Sequence, residues 1–257
     1  MTPAFEYIPG RYGITITRTE AGTSARVPLR PDLAAEDGSL RLAAVLMGID
    51  MGAGLAAGGA VLPKWSVTAD IETRIVAACT VGPLRIDSTP IKSGRTMSVV
   101  QSRLVDEGND DALVALSTAN HGVLEPTFDD SLQHLDVGDV RVFAEPPVHD
   151  DSLERYFGLR RTDEGVAIDI TERTRNPWGI LHGGLTGMMI ETTARQAGVD
   201  EPTDLVVRYL RAVREGPAAT RIVEMVDRPA GRLVKIEMVD TGTGEVAATA
   251  LVGGPAV

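Results

Sequence analysis

Residues 176–197 read NPWGILHGGLTGMMIETTARQA, a Pro- and Gly-containing approach that runs into a segment of small and apolar residues with one acid, Glu191, near its middle. The other half holds its counterpart at residues 40–54, LRLAAVLMGIDMGAG, again small and apolar around a single acid, Asp50. Both are expected to be helices, and their likeness suggests that the chain repeats itself. Upstream of each lies a pair of short β-rich runs joined by a turn: residues 13–29 turn at Glu20 to Gly22, and residues 158–172 turn at Asp163 to Gly165. Downstream of each come long β-rich runs with matching punctuation, Gly82-Pro83 answered by Gly216-Pro217 and Gly94-Arg95 by Gly231-Arg232. Two copies of strand, strand, helix and three long strands describe the pattern. A helix on one face of an antiparallel sheet belongs to the α+β class, and two copies in one chain can pair about a pseudo-two-fold axis. The expected units are residues 1–122 and 153–257. Residues 123–152, richer in Pro, Asp and His, are expected to connect them over the surface.

Composition narrows the function classes. A formal net charge of −11 opposes a nucleic-acid or anionic-membrane partner. The apolar stretch from Leu40 to Leu62 carries Arg41, Asp50 and many glycines, so a buried helix followed by a loop is expected rather than a membrane span. Cys79 is the one cysteine, and the opening MTPAFEYIPGRYG has neither the basic nor the apolar region of a secretion signal, which leads to an expectation of cytoplasmic residence. His121, His134, His149 and His182 are scattered, so no metal site is expected, and no GxSxG nucleophile elbow occurs.

The approach to the second helix carries the chemistry. Asn176, His182, Gly183 and Gly184 precede Glu191, with the acid nine residues after the histidine. Glycines at a helix start allow close approach, and the unpaired N–H groups of the first turn suit an oxyanion. This spacing resembles the hotdog acyl-CoA thioesterases of the PaaI and hydroxybenzoyl-CoA thioesterase type, over most of residues 156–252 and, in degenerate form, over 10–121. The resemblance implies a tandem double hotdog, in which two antiparallel sheets, each wrapping a central helix, join as a covalent pseudo-dimer in one continuous sheet. It also implies an acyl-CoA substrate, no separate cofactor, and a homodimer of double hotdogs. In the family, the Gly amide and the Asn side chain polarise the thioester carbonyl, the His orders the helix start, and a helix carboxylate is the nucleophile or the general base.

The first helix departs from the motif, because Arg41-Leu42-Ala43 stand where HGG would fall. Thr68, eighteen residues after Asp50, matches a Ser or Thr that recurs after the catalytic acid in part of the superfamily. The same offset from Glu191 reaches Tyr209, with Thr203 the nearest small hydroxyl. Gly183 and Glu191 are separated by roughly 12 Å along one helix, too far to serve one carbonyl. Antiparallel packing of the two helices would instead set the start of one against the middle of the other. The complete site is then expected from Asn176, His182 and Gly183 with Asp50 and Thr68. The second site would pair Glu191 with an Arg41 to Ala43 start that lacks donors, unless Glu191 is an interface ion pair, with Arg195 as its partner. Arg95, Arg211 and Arg232, beside strand turns, are candidates for the CoA phosphates together with Gly184. The alternatives are a non-catalytic acyl-CoA binder or sensor and a hotdog hydroxyacyl-thioester dehydratase.

Overall fold

The computed structural model describes residues 7–125, 140–142, 151–176 and 178–255. The first repeat runs α1 (Tyr7–Arg11), β1 (Thr15–Thr19), β2 (Gly22–Val27), α2 (Leu42–Val61), β3 (Trp65–Ile75), β4 (Leu84–Ser93), β5 (Met97–Asp106) and β6 (Ala112–Leu124). After β7 (Val140–Val142), the second runs α3 (Leu153–Phe157), β8 (Arg160–Arg161), β9 (Val166–Ile168), α4 (Gly183–Gln196), β10 (Asp204–Tyr209), β11 (Ala218–Arg228), β12 (Gly231–Asp240) and β13 (Glu245–Gly254). Each repeat therefore has four strands after its central helix where three were expected. The run 70–86 is broken by a loop at the cis Gly82-Pro83 bond, and 204–222 is broken in the same way at the cis Gly216-Pro217 bond. A buried aspartate holds each loop from the neighbouring strand. Asp106 accepts from the N–H groups of Thr80, Val81 and Gly82, and Asp240 from those of Arg214, Glu215 and Gly216.

All described strand pairs are antiparallel and form one sheet of 13 strands, ordered β7-β1-β2-β4-β5-β6-β3-β10-β13-β12-β11-β9-β8. The two sheets are fused at the centre, where β3 pairs with β10 in a register that sets Ile71 opposite Val207. Val140–Val142, inside the stretch read as a connector, adds an edge strand against β1, while 126–139 and 143–150, with His134 and His149, lie outside the described residues.

Alternation along the strands turns one face of the sheet inward, as Val234, Ile236 and Met238 of β12 illustrate. Helices α2 and α4 lie against that face. Although α2 is long and apolar enough to cross a membrane, 13 of its 20 residues are buried inside the protein. It is apolar on most sides because it meets the sheet on one side and α4 on another. The Gly-rich tail expected to be a loop continues as helix to Val61. The helix pair is antiparallel: Gly183 faces Asp50, Gly187 faces Leu46, and Glu191 reaches Leu42. Contact this close requires glycine, since a Cβ on Gly187 would lie 2.8 Å from the Leu46 Cβ.

Candidate active site

Antiparallel packing creates two pseudo-equivalent places where the start of one helix meets the acid of the other, and the chain has furnished them differently. At the first, His182 is the N-cap of α4, with extended backbone and an Nδ1 that accepts from the Gly184 N–H at 3.1 Å. That bond leaves Nδ1 without a proton, so the ring is neutral with its hydrogen on Nε2. Burial reinforces the neutral form by pushing the His182 pKa down, against the opposing pull of Asp50. The 3.8 Å approach of His182 Nδ1 to Asp50 Oδ2 is therefore a contact between an imidazole and a carboxylate, not an ion pair.

Asp50 projects from the middle of α2 toward this helix start, its side chain 10% exposed. Thr68, at the beginning of β3, donates its hydroxyl to Asp50 Oδ1 at 2.9 Å. On the other side of the carboxylate stands Gly183, where a Cβ would come within 3.1 Å of Oδ2. Among the described residues the Gly183 N–H has no hydrogen-bond partner, while the next amide is taken by His182. The start of α4 thus offers an unpaired N–H beside the carboxylate, with the positive end of the helix dipole behind it.

Asn176 shapes the approach. Its Oδ1 accepts from the N–H groups of Trp178 at 3.0 Å and Ile180 at 3.4 Å, and the carboxamide nitrogen has no partner among the described residues. Pro177 lies outside the described residues. The loop is anchored to the first repeat by Trp178, whose ring meets that of Trp65 edge to face at 5.5 Å.

At the second place, Glu191 is 1% exposed and already committed. Its Oε1 accepts from the Leu42 N–H at 2.9 Å, so it caps α2 from the opposite helix. Its Oε2 receives Arg41 Nε at 2.9 Å and Nη2 at 2.7 Å, and Arg41 also pairs with Glu154 at 2.6 Å. Arg195 stands farther off, at 4.0 Å. The expectation of a start without donors is therefore corrected: Arg41, in the position of His182, supplies the donors and fills the space. Burial opposes the Arg41 charge, and the Glu191 and Glu154 carboxylates outweigh it, raising its pKa. Glu191, taken from the sequence as a catalytic candidate, is built into a clamp between the repeats.

Tyr209 takes part here as well. It stands in β10 where Thr68 stands in β3, but its hydroxyl donates to the Gly183 carbonyl at 3.1 Å and so supports the start of α4 from below. Burial, helped by the charge of Asp50, raises its pKa well above the usual value and keeps it a donor. The signal for it was its eighteen-residue offset from Glu191.

The three arginines suggested for phosphates do not share a place. Arg95 is exposed in the turn between β4 and β5. Arg211 follows β10 and lies 3.4 Å from Glu245. Arg232 bonds Asp227 and the Ala197 carbonyl at the far end of α4, about 20 Å along the axis from Gly183, which removes it from this site. Gly184, the fourth candidate, is buried against Met47 with its N–H used by His182.

No family model matches the sequence, and no curated protein matches it. Solved structures do match over nearly the whole chain. A putative thioesterase II from Thermobifida fusca covers 98% of this chain and 97% of its own at 14% identity, with a TM-score of 0.60. A tesB protein from Mycobacterium avium subspecies paratuberculosis covers 92% and 93% at 15% identity, with a TM-score of 0.58. A 12:0-ACP thioesterase from Umbellularia californica covers 89% and 92% at 12% identity, with a TM-score of 0.60. At these identities the likeness speaks to architecture, and this architecture, two repeats of helix and antiparallel sheet fused edge to edge, is the double hotdog fold.

Proposed function

We propose that the protein is a thioester hydrolase acting on an acyl-CoA at one composite site, with Asp50 and Thr68 from the first repeat and His182 and Gly183 from the second. The observation that carries this reading is the unpaired Gly183 N–H beside a carboxylate that is itself held by a Thr hydroxyl. A thioester carbonyl oxygen placed on that N–H would leave its carbon beside Asp50. The carboxylate takes a proton from water as the water oxygen attacks that carbon. Negative charge gathers on the carbonyl oxygen at the helix start, where an oriented donor typically contributes about 2.7–4 kcal/mol to the transition state. His182 acts by holding the first turn of α4 in place, and the Asn176 carboxamide nitrogen is a second donor available from the loop. Arg95, as a free cation among the described residues, suits a CoA phosphate at the rim.

The test is thiol release from a panel of acyl-CoA esters of increasing chain length, with the acyl carrier protein thioester of one of them alongside. Turnover of any acyl-CoA that is lost in Asp50→Asn supports the reading. Saturable binding of acyl-CoA without thiol release would establish a binder instead.

A further inference from the structure

Asp50 has a second histidine near it. His121 on β6 lies directly across from Thr68 on β3, and on its other side it pairs with Ser98 of β5. The burial pattern turns all three toward the inner face of the sheet. Directly paired residues on one face have side chains about 5 Å apart, so the imidazole neighbours the hydroxyl that binds Asp50. A polar row therefore crosses three strands beneath α2; a second buried row on the same strands, Thr73, Ser117 and Ser102, has its hydroxyls paired, Thr73 with Ser117 and Ser102 with Ser88.

His121 is 1% exposed, and neither ring nitrogen has a hydrogen-bond partner among the described residues. Burying two unpaired nitrogens costs free energy unless something uses them. Other polar groups nearby are already engaged: Ser98 bonds Ser93, and Asp70 bonds Asn120. Burial pushes the His121 pKa down, while the charges of Asp50 and Asp70 pull it back up. His182 also lies beside Asp50, but its Nδ1 is spent on the cap of α4. To take up a proton a neutral imidazole needs its unprotonated nitrogen free of any other hydrogen, because the lone pair there receives the proton. Of the two histidines, His121 alone meets that condition.

We propose that His121 is the proton carrier of this site, taking from Asp50 the proton given up by the attacking water and delivering it to the sulfur that leaves. The inference rests on the hydrolase reading above. As the water oxygen bonds the carbonyl carbon, one of its protons passes to Asp50 and then to neutral His121, which restores the carboxylate. When the carbon–sulfur bond breaks, its electron pair stays on sulfur and the imidazolium gives the thiolate that proton. The other hydrogen of the water stays on the acid product.

The experiment compares kcat for two thioesters of the same acyl group, one of coenzyme A and one of thiophenol, in the full-length protein and in His121→Gln. An alkyl thiolate needs the proton, while an aryl thiolate leaves readily without it. His121→Gln should lower kcat about 100-fold on the CoA ester, within the range for general acid catalysis, and less than about 3-fold on the thiophenyl ester. The ratio of the two losses does not depend on how much of the variant is folded, so a merely structural role would lower both equally. Equal losses, or no loss on the CoA ester, would overturn the proposal while leaving the hydrolase reading standing. Failure of the unaltered protein to turn over either ester would overturn both.

Discussion

Replacing each of the two pseudo-equivalent acids by its amide separates chemistry from cohesion. Asp50→Asn keeps the shape of a side chain whose described hydrogen bond is the one from Thr68. That bond changes from a charged to a neutral acceptor, which lowers stability by about 1 kcal/mol. Activity should fall about 10²–10⁴-fold, the usual contribution of a general base. Glu191→Gln removes the charge opposite Arg41 in a pair whose side chains are 10% and 2% exposed. Breaking a buried pair typically costs about 3–5 kcal/mol, and the remaining Glu154 partner puts this case at the lower end. At 2–4 °C per kcal/mol for a domain of this size, Tm should drop by roughly 6–12 °C. The assay is thiol release per folded molecule, with thermal melts monitored by circular dichroism. Equal loss of turnover per folded molecule in both variants would refute the division of roles, and so would a Glu191→Gln protein that melts with the parent.

Three further outcomes follow from the same contacts. Gly187→Ala puts a Cβ 2.8 Å from the Leu46 Cβ at the helix crossing and should destabilise by about 1–3 kcal/mol, read as a shift of the urea midpoint; an unchanged midpoint would mean that the helices can part at no cost. The depressed His121 and His182 pKa values mean that the unfolded chain binds protons below about pH 6.5 before the folded one does, so stability should fall on acidification from that point, each histidine adding to the loss until its folded pKa is reached. Urea titrations at pH 7.5 and 5.5 check this, and stability that is level or rises toward pH 5.5 would contradict it; Asp106 and Asp240, whose backbone N–H bonds outweigh their burial and lower their pKa values, add their loss only below about pH 4. Asp50→Glu should let the carboxylate reach the Gly183 N–H as Glu191 reaches that of Leu42, abolishing turnover without lowering Tm; retained turnover would show that this N–H is not the carbonyl's donor.

Much of the architecture was readable because it is periodic and stated twice. The helices around Asp50 and Glu191, the hairpins ahead of them and the paired Gly-Pro punctuation all depend on local pattern. The number of strands was not readable, because the first run passes from β3 through the 76–83 loop into β4 without losing its β-rich composition; Gly82-Pro83 punctuates the run, and the hold of Asp106 on that loop, 24 residues away, makes it a break between two strands. In the candidate site, the residues that the structure brings together, Asp50, Thr68, His182 and Gly183, are tied by fixed offsets along the chain. His121 was not, since its place beside Thr68 depends on the register of β3 with β6, and a slip of one residue would turn it to the other face. Arg41 was read as a missing donor because its position, not its side chain, was compared with His182.

The difference between the two helix junctions can be traced to a pair of choices. At the Leu42 junction the acid is a glutamate, whose extra methylene lets it bond the first free amide of the opposite helix, and the residue before that amide is an arginine long enough to occupy what space is left. At the Gly183 junction the acid is an aspartate, one methylene shorter, and the residue before the amide is a histidine that turns its nitrogen inward to the next amide instead of outward to the acid. The shorter acid leaves the Gly183 amide unbonded and the longer one closes the Leu42 amide. Either junction furnished like the other would lose its character: two closed junctions would leave no free amide at a helix start, and two open ones would give up the buried clamp that holds the repeats together. A single chain can keep both because its two copies diverge independently, whereas two identical subunits would have to repeat one choice at both junctions.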